Sequence, residues 1–95
     1  MQASYETILV VSAALDDEAA KALVTRFTDL ISANGTVESV DEWGKRRLAY
    51  EINDEKEGYY FLINFTADTD FITELNRIYA ITDGLLRTIV VRKEQ

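Results

Sequence analysis

Three cations stand side by side near the middle of an acidic chain. Lys45, Arg46 and Arg47 are consecutive, whereas the 95 residues contain only 10 Lys and Arg against 17 Asp and Glu, a net charge of −7. A guanidinium group can hold two phosphate oxygens at once, and an ammonium group attracts them as a point charge. The cluster therefore indicates contact with a polyanion, unless it only keeps an edge strand from pairing with another sheet.

Two residue types that carry out much of enzymatic chemistry are missing. The chain has no His and no Cys, which removes the commonest metal ligand, the usual general base at neutral pH and all thiol chemistry. Acidic runs occur where helix caps and a solvated turn are expected. We therefore expect no enzymatic activity, no metal, no cofactor and no small-molecule substrate.

The length of the chain predicts one domain that spans residues 1–95. No apolar run approaches the roughly 20 residues that cross a membrane. The N-terminal segment lacks the basic start and the long apolar stretch of a signal peptide. We therefore expect a cytoplasmic protein without a membrane partner.

Hydrophobic periodicity predicts the six elements that must position the cations. Apolar β-branched and aromatic runs predict strands, and apolar residues three and four apart predict helices. The predicted strands cover residues 5–11, 36–52, 59–65 and 85–93, one helix lies between the first two strands and another between the last two, and residues 53–58 form a turn. Asp16 is the expected N-cap of the first helix, with Asp68, Thr69 or Asp70 capping the second. We expect Gly35 to end the first helix in the left-handed conformation and Gly44 to form a β-bulge or a kink.

The order β-α-β-β-α-β predicts an α+β, ferredoxin-like sandwich. In this fold four antiparallel strands lie in the order 4-1-3-2, with both helices on one face of the sheet. The distribution of charge agrees, because the first and third strands have no Lys or Arg, whereas the predicted edge strands carry six. Edge strands tolerate such charges, since they have one side free of strand neighbours.

One face of the predicted sheet has no helix to cover it. Alternation directs Tyr59, Phe61, Ile63 and Phe65 towards the helices. The opposite face then exposes a contiguous apolar surface, which is typical of a site for a protein partner. Its predicted members are Ile8, Val10, Tyr60, Leu62, Ile89 and Val91. Trp43 could stack on a base, but we expect it to pack at the end of the core. We expect Tyr50 to fill core space near Leu48, with its hydroxyl at the rim.

The segment GKRRLAYEI, residues 44–52, closely resembles the signature of the bacterial ribosomal protein S6 family. That signature has Gly, any residue, a basic residue, a basic or polar residue, Leu, Ala or Ser, Tyr, any residue and Ile. The pairs Tyr5-Glu6 and Gly58-Tyr59, and the turn DGLLR at residues 83–87, are also similar to the family. The resemblance extends from Tyr5 to about Lys93.

This resemblance implies the same fold and a non-catalytic role in the small ribosomal subunit. Members pair with the basic ribosomal protein S18, and the pair binds the central domain of the small-subunit ribosomal RNA. On this basis the expected RNA contacts are Lys45, Arg46, Arg47, Arg87 and Arg92. Contacts of this kind fix position on phosphates rather than read sequence.

Two other functions are compatible with the predicted fold. An RNA-recognition-motif protein would match at Gly58, Tyr59, Phe61 and Leu62, but Glu57 has the wrong charge and alternation directs Phe61 into the core. Such a protein would hold single strands without a partner. A ligand-binding regulatory module is the second alternative, because a fold does not determine a function.

Overall fold

The computed structural model describes residues 1–52 and 55–93, which form six elements in the order β-α-β-β-α-β. These are β1 (Gln2–Ser12), α1 (Asp17–Asn34), β2 (Gly35–Ile52), β3 (Glu55–Asp68), α2 (Thr69–Ala80) and β4 (Leu85–Arg92). The strands form one sheet in the order β2-β3-β1-β4, and every neighbouring pair is antiparallel. The predicted ferredoxin-like fold and its strand order are therefore confirmed.

The β2–β3 hairpin is longer than the sequence indicated. Glu55–Gly58 were predicted as part of a turn, but they belong to β3, and Ile52 pairs with Glu55. Asn53 and Asp54, which complete the predicted turn, lie outside the described residues. Polar residues can extend a strand here because a hairpin can expose its side chains to water and still pair its backbone groups.

The core lies between the two helices and one face of the sheet. Leu9 and Val11 of β1 and Ile63 and Phe65 of β3 are completely buried. The helices contribute the buried side chains Ala20, Leu23, Val24, Phe27, Ile31, Phe71, Leu75 and Tyr79. The inward-facing set predicted for β3 is thus correct. Burial of each large apolar side chain contributes roughly 1.5–3 kcal/mol.

Two carboxylates begin the helices, as the sequence predicted. Asp16 Oδ1 accepts a hydrogen bond from the Ala19 amide at 2.7 Å, and Asp68 Oδ1 accepts one from the Asp70 amide at 3.0 Å. Each satisfies an amide that has no partner within its helix. Neither helix of the described residues has the length and apolar character needed to cross a membrane.

The junction between α1 and β2 differs from the prediction. Gly35 has φ −178°, which is extended rather than left-handed, and the helix passes directly into the strand. Glycine is needed here instead because the backbone at this position lies too close to β3 to leave room for a side chain. A Cβ at Gly35 would lie 2.2 Å from the Thr66 carbonyl oxygen and 2.9 Å from Ala67 Cα. The predicted bulge at Gly44 is confirmed, with φ +79° and a register shift between Glu42 and Gly44.

A buried hydroxyl pair joins α2 to the sheet. The hydroxyls of Thr7 and Tyr79 lie 3.2 Å apart, and Thr7 Oγ1 donates to the Ile89 carbonyl oxygen at 3.0 Å. Burial raises the pKa of Tyr79 to about 12, partly offset by the hydrogen bond with Thr7. The hydrogen-bonded pair therefore stabilises the packing of α2, and the Tyr79 phenol keeps its proton.

Candidate binding face

The sheet has one face that the helices do not cover, here called the open face. Residues directly opposite one another on neighbouring strands point to the same side of a sheet, so the strand registers define three rows across it. The hairpin row holds Gly44, Tyr60, Val10 and Arg87; the middle row holds Asp41, Leu62, Ile8 and Ile89; and the polar row holds Ser39, Asn64, Glu6 and Val91. The hairpin row is the one nearest the tip of the β2–β3 hairpin.

The middle row forms the apolar centre of the open face. Ile8 and Leu62 are half-buried, and Ile89 is 37% exposed. Val91 lies one row away and is 51% exposed, while Tyr60 lies one row away on the other side and is half-buried. The structure thus brings five of the six predicted partner-binding residues together on one accessible surface.

Val10 is the exception, because its side chain is only 4% exposed. The prediction that Val10 is an accessible part of this surface is wrong. Val10 Cγ1 lies so close to Gly58 that a Cβ added there would be 2.7 Å away, and Leu86 packs at the same place. Leu48 of the hairpin is also buried, and neither it nor Val10 belongs to the main core. Val10 and Leu86 therefore both lie against Gly58, outside the main core.

The three consecutive cations do not share one side of the hairpin. Arg46 lies opposite Gly58 and points to the open face, whereas Lys45 and Arg47 lie opposite Tyr59 and Glu57 and point to the other side. Lys45 Nζ is 5.6 Å from the centre of the Tyr59 ring, within range of a cation–π contact. All three cations are exposed.

Arg87 joins the hairpin end of the open face, but Arg92 does not. Arg87 Nη1 donates to the Tyr50 hydroxyl at 3.3 Å. Tyr50 is 64% exposed, so the prediction that it fills the core is wrong. Arg92 lies opposite Tyr5 on the helix side of the sheet, about 17 Å along β4 from Arg87. An RNA contact by Arg92 would be separate from the hairpin cations.

Trp43 also lies on the open face rather than in the core. Its ring stacks on that of Tyr60, with centroids 6.3 Å apart and an angle of 12° between the planes. The indole is 43% exposed, so the predicted core position is wrong. The bulge at Gly44 places Trp43 beside Tyr60, which sequence alternation alone did not show. Arg46 Nε donates to the Trp43 carbonyl oxygen at 3.2 Å and holds this segment in place.

The family model described as ribosomal protein S6 matches residues 4–92. The chain belongs to the ribosomal protein S6 family.

Relatives of the S6 family match nearly the whole chain. The small ribosomal subunit protein bS6 of Clostridium perfringens is 55% identical over 96% of this chain and 97% of its own length. The bS6 protein of Clostridium botulinum is 50% identical over 95% of this chain and 97% of its own length. The crystal structure of 30S ribosomal protein S6 from Thermotoga maritima has a TM-score of 0.92 and 28% identity, and the match covers 98% of this chain and 89% of that one.

Membership of the S6 family confirms several predictions. The resemblance found in the sequence is correct, and the family consists of ribosomal proteins rather than enzymes. The names of the bS6 relatives agree with the expected cytoplasmic, ribosomal location. The family therefore favours the ribosomal function over both alternatives. Within residues 1–52 and 55–93, no three His, Cys, Asp or Glu side chains converge as a metal site requires.

Proposed function

We propose that this S6-family chain is a structural component of the small ribosomal subunit, where it binds the central domain of the ribosomal RNA jointly with S18. The observation that supports this most strongly is the polarity of the open face. Its apolar centre lies between the hairpin end, which carries Arg46 and Arg87, and the polar row, which carries Glu6. One face thus offers an apolar surface to a protein partner and cations to RNA phosphates.

The apolar centre suits a basic protein partner. Ile8, Leu62, Ile89 and Val91 provide contiguous apolar contact, and such patches commonly form protein interfaces. The carboxylates on the same face, Glu6 and Asp41, would attract cations at the rim. S18 is a basic protein, so it combines both properties.

The cations at the hairpin end suit RNA phosphates. A net charge of −7 repels RNA at long range, but salt screens this repulsion beyond about 8 Å at physiological ionic strength. Arg46 and Arg87 can then bind phosphates on the open side of the hairpin, and Lys45 and Arg47 on its other side. S18 would supply further positive charge, so the pair should bind RNA much more tightly than this chain alone. Arg92 would contribute a separate contact.

Filter binding of central-domain RNA tests this function. We expect weak binding by this chain alone, tight binding with S18, and strongly reduced binding by the complex that carries Arg46→Glu with Arg47→Glu. The salt dependence should also fall, because each phosphate contact contributes about 0.7–0.9 to the slope of log affinity against log salt.

A matched control distinguishes the loss of phosphate contacts at the hairpin from the effect of the change in net charge. Arg26→Glu with Arg77→Glu makes the same change in net charge on the exposed surface of the two helices. We expect this control to retain most of the RNA affinity. Equal losses for both double variants, or no loss for the hairpin variant, would remove the hairpin cations from the RNA interface.

A further inference from the structure

We propose that the outer face of the Trp43 indole is a stacking site for one unpaired nucleobase of RNA. The inference rests on the proposed RNA-binding function and adds a different kind of contact to it. The cations near Trp43 would hold phosphates, whereas a stacked base would be held through its aromatic face.

The geometry leaves the indole available for such a contact. The Tyr60 ring lies nearly parallel to the indole and offset from it, with centroids 6.3 Å apart, and Trp43 is 43% exposed. An exposed aromatic ring with a neighbouring ring beside it is a platform on which a base can stack. Stacking is worth about 1–3 kcal/mol per base and tolerates any base, because every base has a π-face.

The platform is also held in place before any ligand binds. Gly44 has φ +79°, and its bulge directs Trp43 onto Tyr60. Arg46 Nε donates to the Trp43 carbonyl oxygen, and the Asn64 amide donates to Ser39 Oγ at 2.9 Å farther along the same pair of strands. A site fixed in this way loses little conformational entropy on binding.

The surrounding charge favours a nucleobase over a protein side chain. Arg46 and Arg87 lie on the same side of the sheet as Trp43, and the nearest carboxylate on that side by register, Asp41, is one row away. Glu42, which precedes Trp43, points to the helix side and pairs with Lys21. Arginine is the cationic side chain that most often stacks on Trp. The cations near Trp43 would repel an arginine from a basic partner. They would attract the phosphates on either side of an unpaired base. Charge complementarity therefore points to RNA at this end of the open face.

Trp43 is the one tryptophan in the sequence, which allows a direct test. This chain is labelled with 5-fluorotryptophan, mixed with unlabelled S18, and titrated with central-domain RNA while the fluorine resonance is recorded. We expect the resonance to shift when RNA is added. Trp43→Leu, which keeps an apolar side chain but removes the π-face, should weaken RNA binding by at least about five-fold, the lower limit for one stacked base.

Two comparisons distinguish stacking from other effects. Trp43→Leu removes no charge, so its salt slope should equal that of the unsubstituted complex, and Trp43→Tyr should restore most of the affinity. If S18 alone causes the full shift and RNA adds nothing, a partner side chain occupies the platform and the inference is wrong. If the complex binds RNA with no shift and Trp43→Leu binds normally, the inference alone fails. If the unsubstituted complex does not bind RNA, the proposed function fails as well.

Discussion

The side chains of Tyr50 and Arg87 join the two outermost strands of the sheet through a hydrogen bond of 3.3 Å. Their strands, β2 and β4, are separated by β3 and β1, so their backbones lie about 14 Å apart in a flat sheet. The long side chains of Tyr50 and Arg87 span this gap and meet across the two inner strands.

Removal of the Tyr50 hydroxyl should affect RNA binding more than folding. Both partners are exposed, so Tyr50→Phe should change the free energy of unfolding by less than about 0.5 kcal/mol. RNA affinity of the complex with S18 should fall about two- to three-fold because Arg87 loses a positioning contact. The salt slope should not change, whereas Arg87→Gln should lower it by about 0.7–0.9. Filter binding at several salt concentrations measures the RNA affinity and its salt slope. A lower slope for Tyr50→Phe would contradict the role of Tyr50 as a residue that positions Arg87.

A carboxylate in the centre of the open face should disrupt pairing with S18. Leu62→Asp places a charge that must lose its water on association, and we expect at least ten-fold weaker binding by isothermal titration calorimetry. Ile63→Asp is a poor control because Ile63 is fully buried and the variant should unfold. Val40→Asp is better matched, since Val40 is 45% exposed and lies opposite Ile63 on the helix side. Equal losses for Leu62→Asp and Val40→Asp would show that the open face is not the partner site.

The buried Tyr79 hydroxyl should make the protein sensitive to alkali. Its pKa is about 12 in the folded chain against 10.0 ordinarily. Below pH 10 the phenol is protonated in both states, and its contribution to stability is complete. Between pH 10 and 12 only the unfolded chain releases this proton, so the free energy of unfolding should fall by about 1.4 kcal/mol per pH unit.

Urea unfolding at pH 9, 10 and 11 measures this effect against Tyr79→Phe. The variant should be about 1 kcal/mol less stable at pH 9, because it loses one buried hydrogen bond while Thr7 still donates to Ile89. The difference should shrink or reverse at pH 11, since Phe has no proton to release. Tyr50→Phe, at an exposed position, serves as the control. Parallel pH profiles for Tyr79→Phe and the unsubstituted chain would contradict the role of Tyr79.

Gly58 and Gly44 should resist substitution for different reasons. A Cβ at Gly58 would lie 2.7 Å from Val10 Cγ1 and 3.2 Å from the Val11 carbonyl oxygen, so Gly58→Ala should cost about 1–3 kcal/mol. Gly44→Ala meets no atom within 4 Å but must adopt φ +79°, which costs about 1–2 kcal/mol. Val10→Ala should partly rescue the first variant and not the second. Thermal unfolding of the two double variants measures the coupling energy between Val10→Ala and each glycine substitution. Equal coupling energies for Gly58→Ala and Gly44→Ala would disprove the contact between position 58 and Val10.

The fold was predictable because its signals are local. Alternation in β3 identified the buried set of Phe61, Ile63 and Phe65, and Asp16 marked the start of α1. The binding face was only partly predictable because it depends on contacts between distant segments. Val10 packs against Gly58 of a distant strand, and Tyr50 bonds with Arg87, 37 residues away. No pattern within one strand contains that information.

The extra residue at the Gly44 bulge shifts the alternation of β2 by one place. It therefore determines to which side of the sheet each later side chain of β2 points. If the bulge straightened with no residue removed, Trp43 would pair with Tyr60 and every later residue of β2 would move one place along β3. Lys45 and Arg47 would then point towards the open side and Arg46 away from it. The backbone conformation at one glycine thus determines how much of this triplet faces the open side, with no cation gained or lost.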